Sequence, residues 1–179
     1  MFPEADAVVR FWRDAGPARW FAKDAGFDQS FRDSFIDLHF AAARREHDLW
    51  SSDPYATLAL ILLLDQFPRN VFRGSAHRYA TDSLARFYAR AAIASNAITA
   101  IEDELKSFVC LPFMHSENCD DQRYALELYR RYSPGNIKYA QEHLEIVQRF
   151  GRFPHRNAEL GRITTREEQA FLDAGGFAG

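Results

Sequence analysis

The chain lacks the features by which secreted, membrane-spanning and zinc-binding proteins are commonly recognised. It has only two cysteines, Cys110 and Cys119, which form no CxxC pair, so neither a disulfide framework nor a zinc site is indicated. Its longest apolar run, from Ala56 to Leu64 and interrupted only by Thr57, is about half the ~20 residues that a membrane span needs. No charged and apolar leader opens the chain. We therefore expect a cytoplasmic protein with no membrane partner.

An excess of positive charge and the common cofactor motifs are also missing. The chain has 22 Lys and Arg against 25 Asp and Glu, a net charge of −3 and a pI near 6.1, whereas a general nucleic-acid binder is usually basic. The patterns GxSxG, GxxxxGKS and GxGxxG do not occur, which removes the usual support for nucleophile-elbow hydrolases, P-loop enzymes and classical dinucleotide folds. We predict no nucleic-acid partner and no cofactor, and any cationic site must be local.

Apolar and aromatic residues, by contrast, are abundant. Apolar residues make up 47% of the chain and aromatic residues 15%, with 16 Phe among them. A chain of 179 residues can bury roughly 70% of the surface that its unfolded form exposes. No long linker or low-complexity segment divides the sequence, so we expect a single helical domain over residues 1–179.

Apolar residues recur at helical rather than strand spacing along almost the whole chain, as Phe31, Phe35 and Leu38 illustrate. The predicted boundaries are an N-cap at Asp28 with a helix end near Trp50, a helix from Pro54 to Gln66 behind an Asp53 cap, a stop at Pro112, a cap at Ser116, a helix reaching Phe150 before Gly151, and a capping box at Thr165 and Glu168. About eight helices joined by short turns predict an all-α fold, built as an antiparallel superhelix of helix pairs.

Two stretches of the chain resemble copies of one corner. The first is Phe67-Pro68-Arg69-Asn70, and the second is Phe153-Pro154-His155-Arg156-Asn157, with one inserted residue. Proline fixes its own φ and disfavours the helical region for the residue before it, so each copy is expected to stop a helix. Arginine and asparagine side chains would then point outward from both corners, and we predict that the corners meet in the folded protein.

The first polar group surrounds the first corner and comprises Asp65, Gln66, Arg69 and Asn70, followed by Arg73. A carboxylate in the last turn of a helix faces the negative end of the helix dipole, so Asp65 needs a cation nearby. An arginine that clamps Asp65 would make the group a structural brace, because buried carboxylates are tolerated when they are paired. The alternative is that these side chains bind a ligand.

The second polar group is rich in arginine and surrounds the second corner. It contains Arg149, Arg152, His155, Arg156, Asn157 and Arg162. Guanidinium groups bind carboxylate and phosphate through two parallel hydrogen bonds, so this density could hold an anion. The other possibility is that the arginines pair internally with Asp65, Glu117 and Asp121.

The third polar group contains His115, Glu117, Gln122 and, further along, His143. Glu117 and Asp121 lie four residues apart, where like charges repel unless a cation lies between them. That cation could be an arginine or a metal, but no HExxH or comparable spacing supports a metal site, and we predict none. His115, Glu117 and His155 are the candidate catalytic residues, with either histidine acting as acid or base.

Three segments together resemble a known family. They are LALILLLDQFPRN from Leu58, LPFMHSE from Leu111, and RFGRFPHRN from Arg149 followed by LGR; the opening VVRFWRDAGPARWFAKDAGFD adds a fourth. In this order they resemble the bacterial domain-of-unknown-function family 924 across essentially the whole chain. The resemblance implies an all-helical, tetratricopeptide-like α-α superhelix and supplies no activity. Its motif residues here are Asp65, Gln66, Arg69, Asn70, His115, Glu117, Gln122, His143, Arg149, Arg152, His155, Arg156, Asn157 and Arg162.

These observations support three hypotheses of function. The first is a binding protein whose two corners and His115-Glu117 turn form a polar pocket for an anionic small molecule or a chain carboxylate. Arg69, Arg152 and Arg156 would contact the anion, Asn70 and Asn157 would orient it, and Asp65 with Glu117 would hold the arginines. The second is a structural brace within a scaffold for proteins or peptides, and the third is a small enzyme that uses His115 or His155. The oligomeric state is left open.

Overall fold

The computed structural model of the protein describes residues 2–177. The prediction of an all-α fold is confirmed, because this part of the chain contains no strand. Its α-helices are α1 (Pro3–Ala15), α2 (Pro17–Trp20), α3 (Ala25–Ala43), α4 (Pro54–Ile61), α5 (Phe67–Val71), α6 (Asp82–Ala94), α7 (Asp103–Met114), α8 (Cys119–Tyr132), α9 (Ile137–Phe150) and α10 (Arg166–Asp173). Short 3-10 helices span Asp48–Ser52, Ala76–Tyr79, Ala97–Ala100, Pro134–Asn136 and Pro154–Arg156, and a π-helix spans Leu62–Gln66.

Helix α4 lies at the centre of the main hydrophobic core. Its residues from Leu58 onward, and those of the π-helix through Leu64, are fully buried, as expected of a helix that is apolar on all sides. Helices α1, α6 and α7 pack around it. A smaller cluster of Ile146, Val147 and Phe153 joins α9 to the second Phe-Pro corner.

The two Phe-Pro corners have different backbones. At the first, Phe67 stays helical with φ −54° and ψ −50°, and its amide donates to the carbonyl of Leu62, five residues back. This π-helical bond shifts the register of the helix just before Pro68, where the proline cannot donate to a carbonyl. The prediction that the first corner stops a helix is therefore wrong, because α4, the π-helix and α5 form one continuous helical segment, here called the α4–α5 rod.

The second corner does follow a helix end. Gly151, with φ 69°, terminates α9 as predicted, and its amide donates to the carbonyl of Val147. Phe153 is extended, and Pro154 begins a single 3-10 turn. At this corner, unlike the first, the chain leaves the helical conformation before the proline.

Several other predicted boundaries need correction. Asp24, not Asp28, caps α3, because its carboxylate accepts from the amides of Gly26 and Phe27. The helix ends at Ala43 rather than near Trp50, before Arg45 adopts a positive φ of 65°.

Two boundaries flanking α7 and α8 are also different. Helix α7 continues through Pro112 to Met114, so the proline lies in its last turn. Asn118 rather than Ser116 caps α8, because the Asn118 side chain accepts from the amides of Asp120 and Asp121.

Two predicted caps are confirmed. Asp53 accepts from the amides of Tyr55 and Ala56 at the start of α4, and Thr165 with Glu168 forms the capping box of α10. Across residues 2–177, no helix is both long and apolar enough to cross a membrane. The tetratricopeptide-like description and the assignment of residues 1–179 to a single domain stay predictions.

Candidate functional site

The structure brings the two Phe-Pro corners together at a cavity of about 520 Å³. One wall comes from the first corner and the other from the 3-10 turn Pro154–Arg156. Further lining residues come from the end of α2 and the segment after it, the 3-10 helix Ala76–Tyr79, α7, α8 and one side of α9. The lining consists of Trp20, Phe21, Ala22, Lys23, Gln66, Arg69, Asn70, Arg73, Arg78, Tyr79, Ser107, Leu111, Met114, His115, Tyr129, Asn136, Tyr139, His143, His155, Arg156 and Phe177.

The charges that face this cavity have one sign. Five lysine and arginine residues and three histidines line it, and no aspartate or glutamate of residues 2–177 does. Three of the arginines pair with carboxylates that lie outside the lining: Arg69 with Asp65 and Asp82, Arg73 with Asp28, and Arg78 with Glu159. The inner surface is therefore cationic although the chain as a whole is acidic.

Arg69 connects two buried carboxylates. Its Nη1 lies 3.1 Å from Asp65 Oδ1, and its guanidinium donates two bonds to Asp82, at 2.8 and 3.0 Å. Burial alone would lower the pKa of Arg69, but Asp65 and Asp82 together raise it above its usual value. Arg69 thus ties the π-helix to α6 and remains charged.

Asp65 is fully buried and holds His115. Its Oδ1 lies 2.8 Å from His115 Nδ1, while its Oδ2 accepts from Gln66 Nε2 at 2.6 Å. Burial would raise the pKa of Asp65, yet the charge of Arg69 and the contacts from His115 and Gln66 hold it well below its usual range. Burial and the charge of Arg69 lower the pKa of His115, and Asp65 offsets this only in part. We expect an ionised carboxylate beside a neutral imidazole near neutral pH.

Among the arginines that line the cavity, Arg156 lies farthest from a carboxylate. It is only 6% exposed, and Nη2 donates to the carbonyl of His115 at 2.9 Å. Its nearest carboxylate, Asp82, is 3.7 Å away and already accepts two bonds from Arg69, and Arg156 Nε has no partner among the described residues. Its guanidinium carbon lies 4.7 Å from the ring centre of Tyr79 and 4.5 Å from that of Phe153. Burial lowers the pKa of Arg156 to about 10, and Asp82 offsets this only in part.

Two further histidines line the cavity in neutral form. Burial lowers the pKa of His143 to about 4, and burial together with the charge of Arg156 lowers the pKa of His155 to about 3. His143 Nδ1 contacts the carbonyl of Tyr139 at 2.8 Å, whereas the buried His155 Nδ1 has no partner within residues 2–177. Both rings pack against Phe177.

The remaining arginines of the second polar group do not line the cavity. Arg162 makes two 2.8 Å bonds to Glu117, whose Oε1 also accepts from the amide of Phe153. Arg152 binds Glu168 with two bonds of 2.6 and 2.9 Å and lowers the pKa of that carboxyl to about 2. These pairs hold the second corner to the start of α8 and to α10, which is a bracing role.

Three other candidates also lie outside the cavity lining. Arg149 pairs with Glu167 at the exposed surface, and Asn157 is buried, with its amide donating to Glu168. Gln122 Nε2 donates to the carbonyls of Met114 and Ser116, at 2.6 Å each, and so closes the end of α7. We leave all three out of the proposed site.

Sequence reasoning missed several residues that shape the site. Asp82 stands in the first turn of α6, where an acidic residue is expected for the helix dipole alone, so nothing local indicated its contact with Arg69 and Arg156. Lys23 and Arg78 lie in segments whose sequence is that of ordinary turns. Their place in the cavity depends on packing between distant elements.

Comparison with known proteins gives the family of the chain. Residues 8–176 match the family described as bacterial protein of unknown function (DUF924). The chain belongs to this family. A solved structure of a protein of unknown function from Agrobacterium tumefaciens is 52% identical and superposes with a TM-score of 0.93. The match covers 96% of this chain and 97% of that one, while no curated protein matches the chain.

Proposed function

We propose that this member of DUF924 binds a small organic anion in the cavity between the two Phe-Pro corners. The observation that carries the proposal is Arg156, a buried guanidinium with an unpaired Nε and no carboxylate of its own among residues 2–177. A buried charge is costly unless it is paired. A ligand carboxylate, sulfonate or phosphate would supply the missing partner.

The cavity surface supports a ligand with an apolar body as well as an anionic group. Trp20, Phe21, Leu111, Met114 and Tyr139 line it beside the cations. Its volume of about 520 Å³ falls within the ~300–1,000 Å³ typical of small-molecule sites. Apolar side chains of this kind bury the body of a ligand, while a few placed polar groups orient it.

The brace hypothesis applies to a different set of arginines. Arg152 and Arg162 have complete bidentate carboxylate partners outside the cavity, whereas Arg156 does not. Substitutions of Arg152 and Arg156 therefore separate bracing from binding. Bracing alone predicts that both substitutions lower stability and that neither changes ligand affinity selectively.

The Arg156→Gln substitution is expected to weaken binding of naphthalenesulfonate by roughly 10- to 100-fold, since a hydrogen bond to a charged group contributes about 1.5–3 kcal/mol. Naphthalenesulfonate is a suitable probe because it joins an aromatic body to a permanent anion. Isothermal titration calorimetry measures the affinity. Naphthalenesulfonamide has nearly the same shape and no charge. It should bind more weakly than naphthalenesulfonate to the unchanged protein, and the Arg156→Gln substitution should not change its affinity.

Two control variants accompany this measurement. Arg152→Gln removes a bidentate pair outside the cavity and should lower the melting temperature while leaving the affinity for naphthalenesulfonate intact. Arg149→Gln removes an exposed pair and should change neither quantity appreciably. Equal affinity of the Arg156→Gln variant and the unchanged protein would overturn the proposal.

Affinity for naphthalenesulfonate is also expected to rise as the pH falls. Burial keeps His143 and His155 neutral in the free protein, with pKa values of about 4 and 3, and the pKa of His115 is lowered too. A bound anion stabilises the protonated imidazole, so the pKa values rise in the complex and binding takes up a proton. If the pKa of His143 rises from about 4 to about 6 in the complex, binding near pH 5.5 is about fourfold tighter than near pH 8. Calorimetry at both pH values checks this, and an affinity that falls on acidification would contradict it.

A further inference from the structure

His115 has the geometry of an oriented base. Its Nδ1 lies 2.8 Å from Asp65 Oδ1, and Asp65 is itself held by Arg69 and Gln66. Its Nε2 forms no hydrogen bond with any residue from 2 to 177, and the ring lines the cavity. A carboxylate that accepts from Nδ1 selects the tautomer with its lone pair on Nε2. The lone pair is therefore on Nε2, the ring nitrogen that does not contact Asp65.

The surroundings of His115 indicate which nucleophile could be used. No serine or cysteine of the described residues hydrogen-bonds to the imidazole: Ser107 Oγ, which lines the cavity, donates to the carbonyl of Glu104, and Cys110 does not line the cavity. An attacking group would therefore be water. Arg69 and Arg156 line the same cavity, and guanidinium groups stabilise negative charge that develops on oxygen.

We propose that this cavity hydrolyses an ester of an organic acid, with His115 as the general base and Asp65 as the residue that positions it. The proposal rests on the proposed function, because Arg156 would hold the anionic group of the substrate. Water loses a proton to His115 Nε2 as its oxygen bonds to the ester carbonyl carbon, and the carbonyl electron pair moves to oxygen beside the arginines. When the carbonyl re-forms, the carbon–oxygen ester bond breaks and the leaving alcohol takes the proton from Nε2.

Hydrolysis should therefore require the neutral form of His115. The charged and titratable groups that face it are Asp65 from the π-helix, Arg69 from α5, Asp82 from α6, and Arg156, His143 and His155 from the second corner and α9. Burial and Arg69 lower the pKa of His115. The rate should rise with pH through a single ionisation below the usual histidine value of about 6.5 and then level off.

The test compares two para-nitrophenyl esters with the full-length protein. The hemiglutarate ester carries a free carboxylate, and the acetate ester carries none. We expect kcat/KM for the hemiglutarate ester to fall by at least about 100-fold in the His115→Gln variant, because positioned general bases contribute roughly 10²–10⁴-fold. His47→Gln, a histidine stacked on Trp50 outside the cavity, is the matched control and should keep the full rate.

Three further outcomes separate the proposed hydrolysis by His115 from the proposed anion binding by Arg156. Equal rates for the unchanged protein and the His115→Gln variant would overturn the proposal that His115 is the general base. Hydrolysis no faster than in buffer alone would overturn it as well. Should naphthalenesulfonate still bind in that case, the proposed function stands without the reaction. Equal, His115-dependent hydrolysis of both esters would support the base and count against anion binding by Arg156.

The proposal can be tested even if the His115→Gln variant does not fold. Thermal unfolding and naphthalenesulfonate binding report whether His115→Gln keeps its structure. If it does not, the pH profile of the unchanged protein decides: a rate that rises with pH below about 6.5 and then levels off supports a histidine base, and a rate that falls as the pH rises contradicts it.

Discussion

The Asp65→Asn substitution is expected to lower the free energy of unfolding by about 3–5 kcal/mol, the range observed when one partner of a buried ion pair is removed. Asp65 has no exposed surface and contacts Arg69, His115 and Gln66. Asparagine has nearly the same shape but no charge, so Arg69 keeps only Asp82 as its anionic partner. Urea unfolding near neutral pH measures the change.

The pH dependence of this loss has a defined sign. The pKa of Asp65 is lower in the folded protein than in the unfolded chain, so its ionised form stabilises the fold at every pH above about 4, the usual pKa of aspartate. Below that value the unfolded chain takes up the proton first, and the stabilisation is lost as the pH falls. The unfolding free energies of the two proteins should therefore converge in acid.

Asp103→Asn is the matched control for Asp65. Asp103 pairs with Lys106 in the first turn of α7, but its side chain is 93% exposed. Exposed pairs of this kind contribute about 0–1 kcal/mol, so the control should change stability little. A loss below about 1 kcal/mol for Asp65→Asn would show that the buried carboxylate is not a stabilising element of the site.

The Phe67→Ala substitution should lower the free energy of unfolding by about 3–5 kcal/mol, as is typical when a buried phenylalanine is truncated. Phe67 has no exposed surface, and the centre of its ring lies 5.0 Å from the ring centre of Phe31 and 4.9 Å from that of His39. Truncation would leave a void between α3 and the rod formed by α4 and α5. Thermal and urea unfolding both report the loss.

Phe87→Ala is the control that shows whether the loss of stability depends on burial of the ring. Phe87 lies on α6 with 53% of its surface exposed, so its truncation should change stability by no more than about 1 kcal/mol. A Phe67→Ala variant as stable as Phe87→Ala would contradict the core assignment. It would also show that packing of the Phe67 ring does not hold the first corner in place.

The candidate site could be predicted only in part. Asp65 and Arg69 are four residues apart in one helical rod, so their pairing follows from local geometry. Arg152 and Arg156 flank the same Phe-Pro step, and their local sequence does not distinguish them. Glu168 reaches Arg152 from α10, whereas Arg156 shares Asp82 with Arg69, and these distant partners decide which arginine stays under-paired.

By itself, the sequence determined the all-α class and several helix ends, because helical periodicity, caps and the Gly151 terminator act within a few residues. It misplaced the helix end at Phe67-Pro68, because the π-helical hydrogen bond from Phe67 to Leu62 lets the helix continue through Pro68, and no local sequence signal indicated that bond. Only the tertiary structure decided that five cations line one cavity while the carboxylates paired with Arg69, Arg73 and Arg78 lie outside its lining. The physical reason is that burial and pairing of charge depend on which elements pack together, and that is a property of contacts distant in the chain.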